Sequence, residues 1–445
     1  MEYSDHLDSE EKFVNQRQSD RYLAAGSGEE KFINKFNYHG YRYIRISNLW
    51  EPPLSVKAHL IHTGYRTAGG FHSSDADLNA IHDMIQYTLR CLSLGGDLVD
   101  CPQIERLGYG GDGNASTVTA QMMFDLNPLY RNWLQAWGDC IRDDGGLPHT
   151  APNPYKAGGG PYWCGFVITA SWMTYLHYGD AELLQKMYPV MQQWLGFVKL
   201  HSPTGLLEKW PDTDYRGWYL GDWATPTGID QTLSESINLV NNCFVAECYR
   251  SMEKIAGVLG KPAEAEQYRG KRDTLLTQIH STFYHPDTHT YGTATQIDLA
   301  FPLLAGVVPD SLKALVMESL RNEIEVNRKG HLATGLVGIP VLTAWTIQNR
   351  DASLFASMLR KREYPGYLYM IDNGATTTWE HWNGERSRIH NCYNGIGSWF
   401  YQAVGGIRLD GDEPAFRKIL LDPQVPEGVT SAETWKETPY GKVFL

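Results

Sequence analysis

The sequence predicts a mainly α-helical fold, with helices in series paired into a closed toroid and short strand segments at both ends. Three observations carry this. From about residue 74, apolar residues recur three or four apart, and Leu78, Ile81, Ile85 and Leu89 share one helix face. About ten further helical stretches follow in series to residue 407, with almost no strand signal between them. At the two ends the pattern shortens to alternation, as in Tyr41-Arg42-Tyr43-Ile44-Arg45-Ile46 and the closing Val443-Phe444-Leu445.

Residues 32–62 read as strands, with a second apolar run at Val56, Leu60 and Ile61. Two or three strands cannot bury a sheet face alone, so residues 1–70 read as the end of a β domain. The helical part spans 71–407, with helices expected near 116–139, 164–178, 181–200, 232–259, 262–284, 294–305, 309–325, 336–348, 351–361 and 391–405. Gly179-Asp180 reads as a C-terminal glycine followed by a new helix start, and Gly260-Lys261-Pro262 works the same way. Residues 408–445 read as the start of a second β domain, with strands at Phe416–Pro426 and Gly441–Leu445. An open solenoid is the alternative to a toroid, but no repeat of fixed period is visible.

Hydrophobic residues make up 42% of the 445 positions and charged residues 20%, which excludes a disordered polyelectrolyte. The 39 Lys and Arg against 51 Asp and Glu give a formal charge of -12, which disfavours nucleic acid and anionic membranes as partners. The 14 Trp and 26 Tyr fit flat sugar-binding faces with polar edges, and fit a large core equally. None of the seven cysteines forms a C-x-x-C pair, so neither a zinc ribbon nor a disulfide-dense scaffold is expected. The opening Met1-Glu2-Tyr3-Ser4-Asp5 has no signal-peptide core, and the apolar stretch Leu336–Ile347 is too short to span a bilayer. The chain itself reads as cytoplasmic, or as periplasmic or secreted if a signal segment precedes it.

Long loops rich in Gly, Pro, Trp and Asp interrupt the helices at 99–114, 142–163, 204–231 and 370–390. Long loops on a helical scaffold usually carry a site. The first contains Asp100, Glu105 and Asp112 on a segment that Pro102 and its glycines keep irregular. In a cleft, desolvation and like-charged neighbours hold one such carboxyl protonated, as a general acid requires. The bland alternative is a solvated acidic loop with Asp112 capping the next helix. The last loop contains Thr376-Thr377-Thr378-Trp379-Glu380-His381-Trp382. Its tryptophans either wall a pyranose beside Glu380 or anchor the loop to the core. Tyr162-Trp163 and Trp218-Tyr219-Leu220-Gly221-Asp222-Trp223 offer further subsite aromatics, and His390 stands at an expected helix start. Nucleotide-binding and metalloprotease motifs and the G-x-S-x-G elbow are absent. Asn114-Ala115-Ser116 matches a glycosylation acceptor only weakly.

These segments together resemble the bacterial α-L-rhamnosidases of glycoside hydrolase family 78 over about residues 36–445. The resemblance rests on Asp100-Cys101-Pro102-Gln103 through Asp112, on Ala375 through Trp382, and on Ser387-Arg388-Ile389-His390 through Gly397-Ser398-Trp399-Phe400-Tyr401. It implies an (α/α)6 barrel flanked by β-sandwich remnants, the first ending near Phe36–Tyr43. It implies inverting hydrolysis without cofactor or catalytic metal, with a rhamnose-containing oligosaccharide, polysaccharide or glycoside as partner. By that match Glu105 is the general acid and Glu380 the general base. Asp100 and Asp112 hold sugar hydroxyls, Tyr109, Trp163 and Trp223 are subsite aromatics, and His390 is the late histidine. Trp379 is expected in the same pocket, and Trp218 is expected to matter less than Trp223. Two departures stand out: Ile104 replaces a usual Arg and Tyr109 a usual Trp. Ile104 cannot donate hydrogen bonds, whereas Tyr109 keeps a stacking face. The rival readings are an inverting hydrolase for another deoxysugar or a substituted rhamnose, and a carbohydrate-binding relic without chemistry.

Overall fold

The structure, a computed structural model, describes residues 1–26, 28–210, 218–227 and 234–445. Positions 211–217 and 228–231 of the expected loop, and 232–233 of the expected 232–259 helix, lie outside the described residues.

The fold is mainly helical with small peripheral sheets. In chain order the helices are α1 (Ala76–Leu92), α2 (Gly110–Met123), α3 (Asn127–Asp139), α4 (Pro161–Cys164), α5 (Phe166–Tyr178), α6 (Ala181–Leu200) and α7 (Ser234–Val258). They continue with α8 (Pro262–Phe283), α9 (Gln296–Ala305), α10 (Lys313–Asn322), α11 (Gly338–Gln348), α12 (Ala352–Leu359), α13 (Tyr367–Asp372) and α14 (Gly397–Trp399).

Local chemistry explains the boundaries. The Asp75 carboxylate accepts from the N–H groups of Asp77 and Leu78 and caps α1, whose Leu78, Ile81, Ile85 and Leu89 are buried as the spacing requires. Gly179 ends α5 at φ 76°, and Asp180 caps α6 through the Leu183 N–H. The single helix expected at 116–139 is two helices: Phe124 is extended, and Pro128 opens α3 where a proline's missing N–H costs nothing. The stretch expected as a helix at 391–405 is a 3-10 turn from Asn394, the single turn α14, then a π turn to Val404. His390 therefore lies in a loop before the first turn, not at a helix start.

Antiparallel α7 and α8 pack along each other, as do α5 and α6. Helix α2 packs on α5, α5 on α7, α7 on α9 and α9 on α11, while α14 contacts both α11 and α2. Their shared core takes a large share of the aromatic excess, with Trp133, Trp137, Trp194, Trp345, Trp382 and Trp399 among the largest fully buried side chains.

The ends hold fewer strands than expected in one place and more in another. In the 32–62 region only Tyr43–Arg45 is a strand, antiparallel to Glu2–Ser4. Val56, Leu60 and Ile61 lie outside any strand with exposed side chains, since no second layer lies over them to reward pairing. At the other end Ile407–Leu409 pairs with Ile419–Leu421. Ala432–Thr438, which the sequence reading passed over, is the centre of a sheet between Gly69–Ser73 and Gly441–Phe444. No helix among the described residues is long and apolar enough to cross a membrane.

Candidate active site

The first loop closes on itself. Asp100 N–H donates to the Leu107 carbonyl and Leu107 N–H donates to Asp100 Oδ1, both at 2.9 Å. This ring presents Glu105 near its apex, beside Arg106 at φ 60°. Cys101 Sγ lies 3.2 Å from Asp100 Oδ2 and 3.7 Å from Glu105 Oε2.

Asp112 is not in an irregular loop but in the first turn of α2, among the glycines that the sequence suggested would break a helix. These glycines permit close packing. A Cβ at Gly111 would stand 2.3 Å from the Trp163 ring, and one at Gly113 would stand 2.6 Å from Phe166. Tyr109 occupies the cap position without a capping side-chain bond.

The second loop is an irregular hairpin. Glu380 N–H donates to the Ser387 carbonyl and His390 N–H to the Thr378 carbonyl, each at 2.9 Å. Asn391 N–H donates to the Asp100 carbonyl and so ties the hairpin to the first loop. Both loops are also held by the N-terminal segment. Asp5 Oδ2, fully buried, accepts from Gln103 Nε2 at 2.8 Å and from the Arg388 N–H at 2.7 Å.

Through these ties the structure brings Asp100, Glu105, Asp112, Glu380 and His390 together. Arg386 Nη2 donates to Glu105 Oε1 at 2.9 Å, and its Nε lies 3.2 Å from Glu380 Oε1. Both carboxylates thus face one guanidinium. Glu380 Oε2 accepts from the Ser387 N–H at 3.2 Å. His390 stands between the two aspartates, with Nε2 3.9 Å from Asp100 Oδ2 and Nδ1 3.5 Å from Asp112 Oδ1. Its Nδ1 accepts from the Cys392 N–H, which leaves the ring proton on Nε2. Asp112 Oδ1 is buried without a hydrogen-bond partner, a polar atom aimed at nothing in the protein.

Burial dominates the electrostatics. It pushes Asp100 well above the usual carboxylate range, with Glu105 and Asp112 adding repulsion. It does the same to Asp112, against Glu105 and Glu380. Glu380 is pushed up to about 7, again first by burial, with Arg386 pulling the other way. Burial holds His390 neutral, well below the usual imidazole range. Asp100, Cys101 and His390 also place ligand-type atoms within 4.8 Å of one another. Burial and the neighbouring Asp100 push the Cys101 thiol well up, which suits a hydrogen-bond donor better than a metal thiolate.

The aromatic expectations divide. Trp223 lies beside the cluster, its ring 6.0 Å from His390 and 5.5 Å from His381, with a buried, unpartnered Nε1. Trp163 is buried under Gly111, next to Asp112. Trp379 stands apart: its buried ring lies 4.9 Å from the Arg388 guanidinium and lines a cavity of about 180 Å³ with Asp5, Arg42 and Thr377. Trp382 is buried too, stacked on Tyr393 at 4.1 Å. The two tryptophans flanking Glu380 are anchors. Asp222 is structural, accepting from the N–H groups of Gly335, Val337 and Gly338 at the start of α11. Sequence reasoning missed Asp5, Cys101 and Arg386. Only the charge run Glu385-Arg386-Ser387-Arg388 so soon after Glu380 signalled the arginine.

A family model described as the bacterial α-L-rhamnosidase six-hairpin glycosidase domain matches residues 66–404. The chain belongs to the bacterial α-L-rhamnosidase family. Two companion models, a concanavalin-like domain and a C-terminal domain of the same family, match residues 1–62 and 406–444 of this rhamnosidase-family chain. It is 28% identical to an α-L-rhamnosidase of Formosa agariphila and 27% identical to one of Alteromonas sp., in each case over 96% of this chain and 47% of the relative. The structure of the Streptomyces avermitilis α-L-rhamnosidase complexed with L-rhamnose is similar at TM-score 0.89 and 25% identity, covering 100% of this chain and 43% of that one. The rhamnosidase-family chain therefore spans about half the length of the curated relatives it matches.

Proposed function

We propose that the chain carries the catalytic machinery of an inverting glycoside hydrolase that removes terminal α-L-rhamnosyl residues from glycans or glycosides. The observation that carries this reading is the convergence of Glu105 and Glu380, from two distant loops, on one guanidinium beside Asp100, Asp112 and His390. Glu105 protonates the leaving glycosidic oxygen. Glu380 deprotonates a water that attacks C1 from the opposite face. An inverting enzyme needs its carboxyl groups about 6.5–9.5 Å apart to admit that water. Asp100 and the unpartnered Oδ1 of Asp112 take sugar hydroxyls, His390 donates from Nε2, and Tyr109, Trp163 and Trp223 line the sugar site. Trp379 contributes by anchoring the hairpin.

The same reading makes residues 71–407 an (α/α)6 toroid. The neighbour series α2, α5, α7, α9, α11 and α14, which returns to α2, supports this as an inner ring. Residues 1–70 and 408–445 are then the end of one β-sandwich and the start of another. A substituted rhamnose or another deoxysugar is the second reading, favoured by Ile104 and Tyr109 in the sugar-facing loop. Paired carboxylates speak against a binding relic, because binding alone needs no acid and base.

The test is hydrolysis of aryl α-L-rhamnosides beside a panel of aryl deoxyglycosides, with the first product observed by NMR. Release of the opposite anomer from the rhamnoside is expected. Turnover confined to another glycoside would move the substrate reading, and retention of configuration would recast Glu380 as a nucleophile.

A further inference from the structure

Both carboxylates of the proposed pair meet on Arg386. Its backbone is committed to the position. It holds φ 61°, in the left-handed region that non-glycine residues avoid. Its carbonyl accepts from Gln16 Nε2 at 3.2 Å, and the next N–H, that of Ser387, donates to Glu380 Oε2. The side chain itself is 47% exposed, so it is placed by its contacts with the pair and not by enclosure.

Among the described residues, the titratable groups around it are mostly acidic. Asp100 and Cys101 face the pair from the first loop, and Asp112 faces it from α2. Asp5 approaches from the N-terminal segment, while His381, Glu385 and His390 come from the hairpin itself. Burial disfavours the charged form of both histidines. Among the described residues, Arg386 is the permanent cation in contact with the pair. Ile104, on the facing loop, has no donor to offer.

We infer that Arg386 is a positioning residue for the acid–base pair, holding Glu105 and Glu380 on one guanidinium and keeping Glu380 ionised to act on water. This rests on reading those two residues as acid and base. The guanidinium is shared between the two carboxylates. Once Glu105 takes up the proton it must deliver, it no longer attracts the arginine, whose charge then falls to Glu380 alone. With the proton on Glu105, the charge of the arginine supports an ionised Glu380, the state that acts on water.

The experiment compares Arg386→Met, Arg386→Gln and Arg386→Lys. The Glu380 carboxyl is titrated by NMR in ligand-free protein labelled with ¹³C-glutamate, a readout that needs no turnover. Loss of a contacting cation raises a carboxyl midpoint by about 1–3 units. R386M and R386Q should both show such a rise, and R386K should restore most of the wild-type midpoint. The low-pH limb of kcat/KM on an aryl α-L-rhamnoside should move up by the same amount, about tenfold in rate per unit below the midpoint. Folded variants with an unmoved midpoint and an unmoved limb, whatever their kcat, would overturn the inference. If the midpoint moves but the wild-type protein turns over no rhamnoside, the substrate reading fails and the role of Arg386 stands.

Discussion

Glu105 and Glu380 share one arginine, yet the loops that carry them are built on opposite plans. Glu105 sits near the apex of a closed turn with its side chain 26% exposed, whereas Glu380 lies within a hairpin and is 1% exposed. The first arrangement suits a group that must meet an incoming glycosidic oxygen. The second suits a group that works on a single enclosed water. On the proposed reading, burial and what each touches fit the two carboxyls of one short cleft to separate roles.

The comparison breaks most directly at Glu380. E380Q removes the proposed base and should slow hydrolysis of every aglycone alike, by about 10²–10⁴-fold. A steady-state series over aryl leaving groups checks this, and an effect that shrinks for good leaving groups would contradict it. E105Q should cost a similar factor only for aglycones that leave poorly, with partial rescue where the leaving group is already a stable anion. The same series reads both variants, and parallel slopes would erase the distinction between the loops.

The buried carboxyl also has a thermodynamic signature. Glu380 has its folded pKa raised from 4.5 to about 7, so the folded state binds more protons than the unfolded one across that window. Its contribution therefore falls as pH rises from 4.5 to about 7. Thermal unfolding of the wild type should lose more stability over that window than E380Q does. The smallest effects belong to the scaffold. Gly111→Ala forces a methyl toward Trp163 and should cost about 1–3 kcal/mol in urea unfolding. Asp5→Ala strands the buried donors of Gln103 and Arg388 and should cost about 1–3 kcal/mol, measured in the same way.

The apolar periods of α1, and the glycine and aspartate that separate α5 from α6, were legible because each follows from local backbone chemistry. Glu105 was legible as a carboxylate in a glycine- and proline-containing loop and Glu380 as one between two tryptophans, although the roles proposed for them came from resemblance. What escaped depended on contacts between distant segments. Gly110, Gly111 and Gly113 resemble loop punctuation until Trp163, Trp137 and Phe166 are seen pressed against them. Strand Ala432–Thr438 buries Thr434 and Lys436, so its inward face reads as polar, and Lys436 Nζ finds the Gln121 carbonyl 315 residues away. Trp379 and Trp382 had two readings in sequence, and only what they pack on, the Arg388 guanidinium and the Tyr393 ring, marks them as anchors. Arg386 sat in a charge run that normally means a solvated face.

Asp5 lies in the segment matched by one family model, and the loops it holds lie in the span matched by another. That places a limit on treating the matched regions as interchangeable parts. A chimera that grafts this catalytic span onto another relative's leading segment would also have to import a buried acid at the position of Asp5. Without it, the backbone of Arg388 and the amide of Gln103 would lose their common acceptor, and the two halves of the cleft would lose one of the ties that join them. Recombination breakpoints drawn at the seam near residue 64 would therefore cut through a shared structural unit, and libraries that keep residues 1–8 with the helical body should yield more working enzymes.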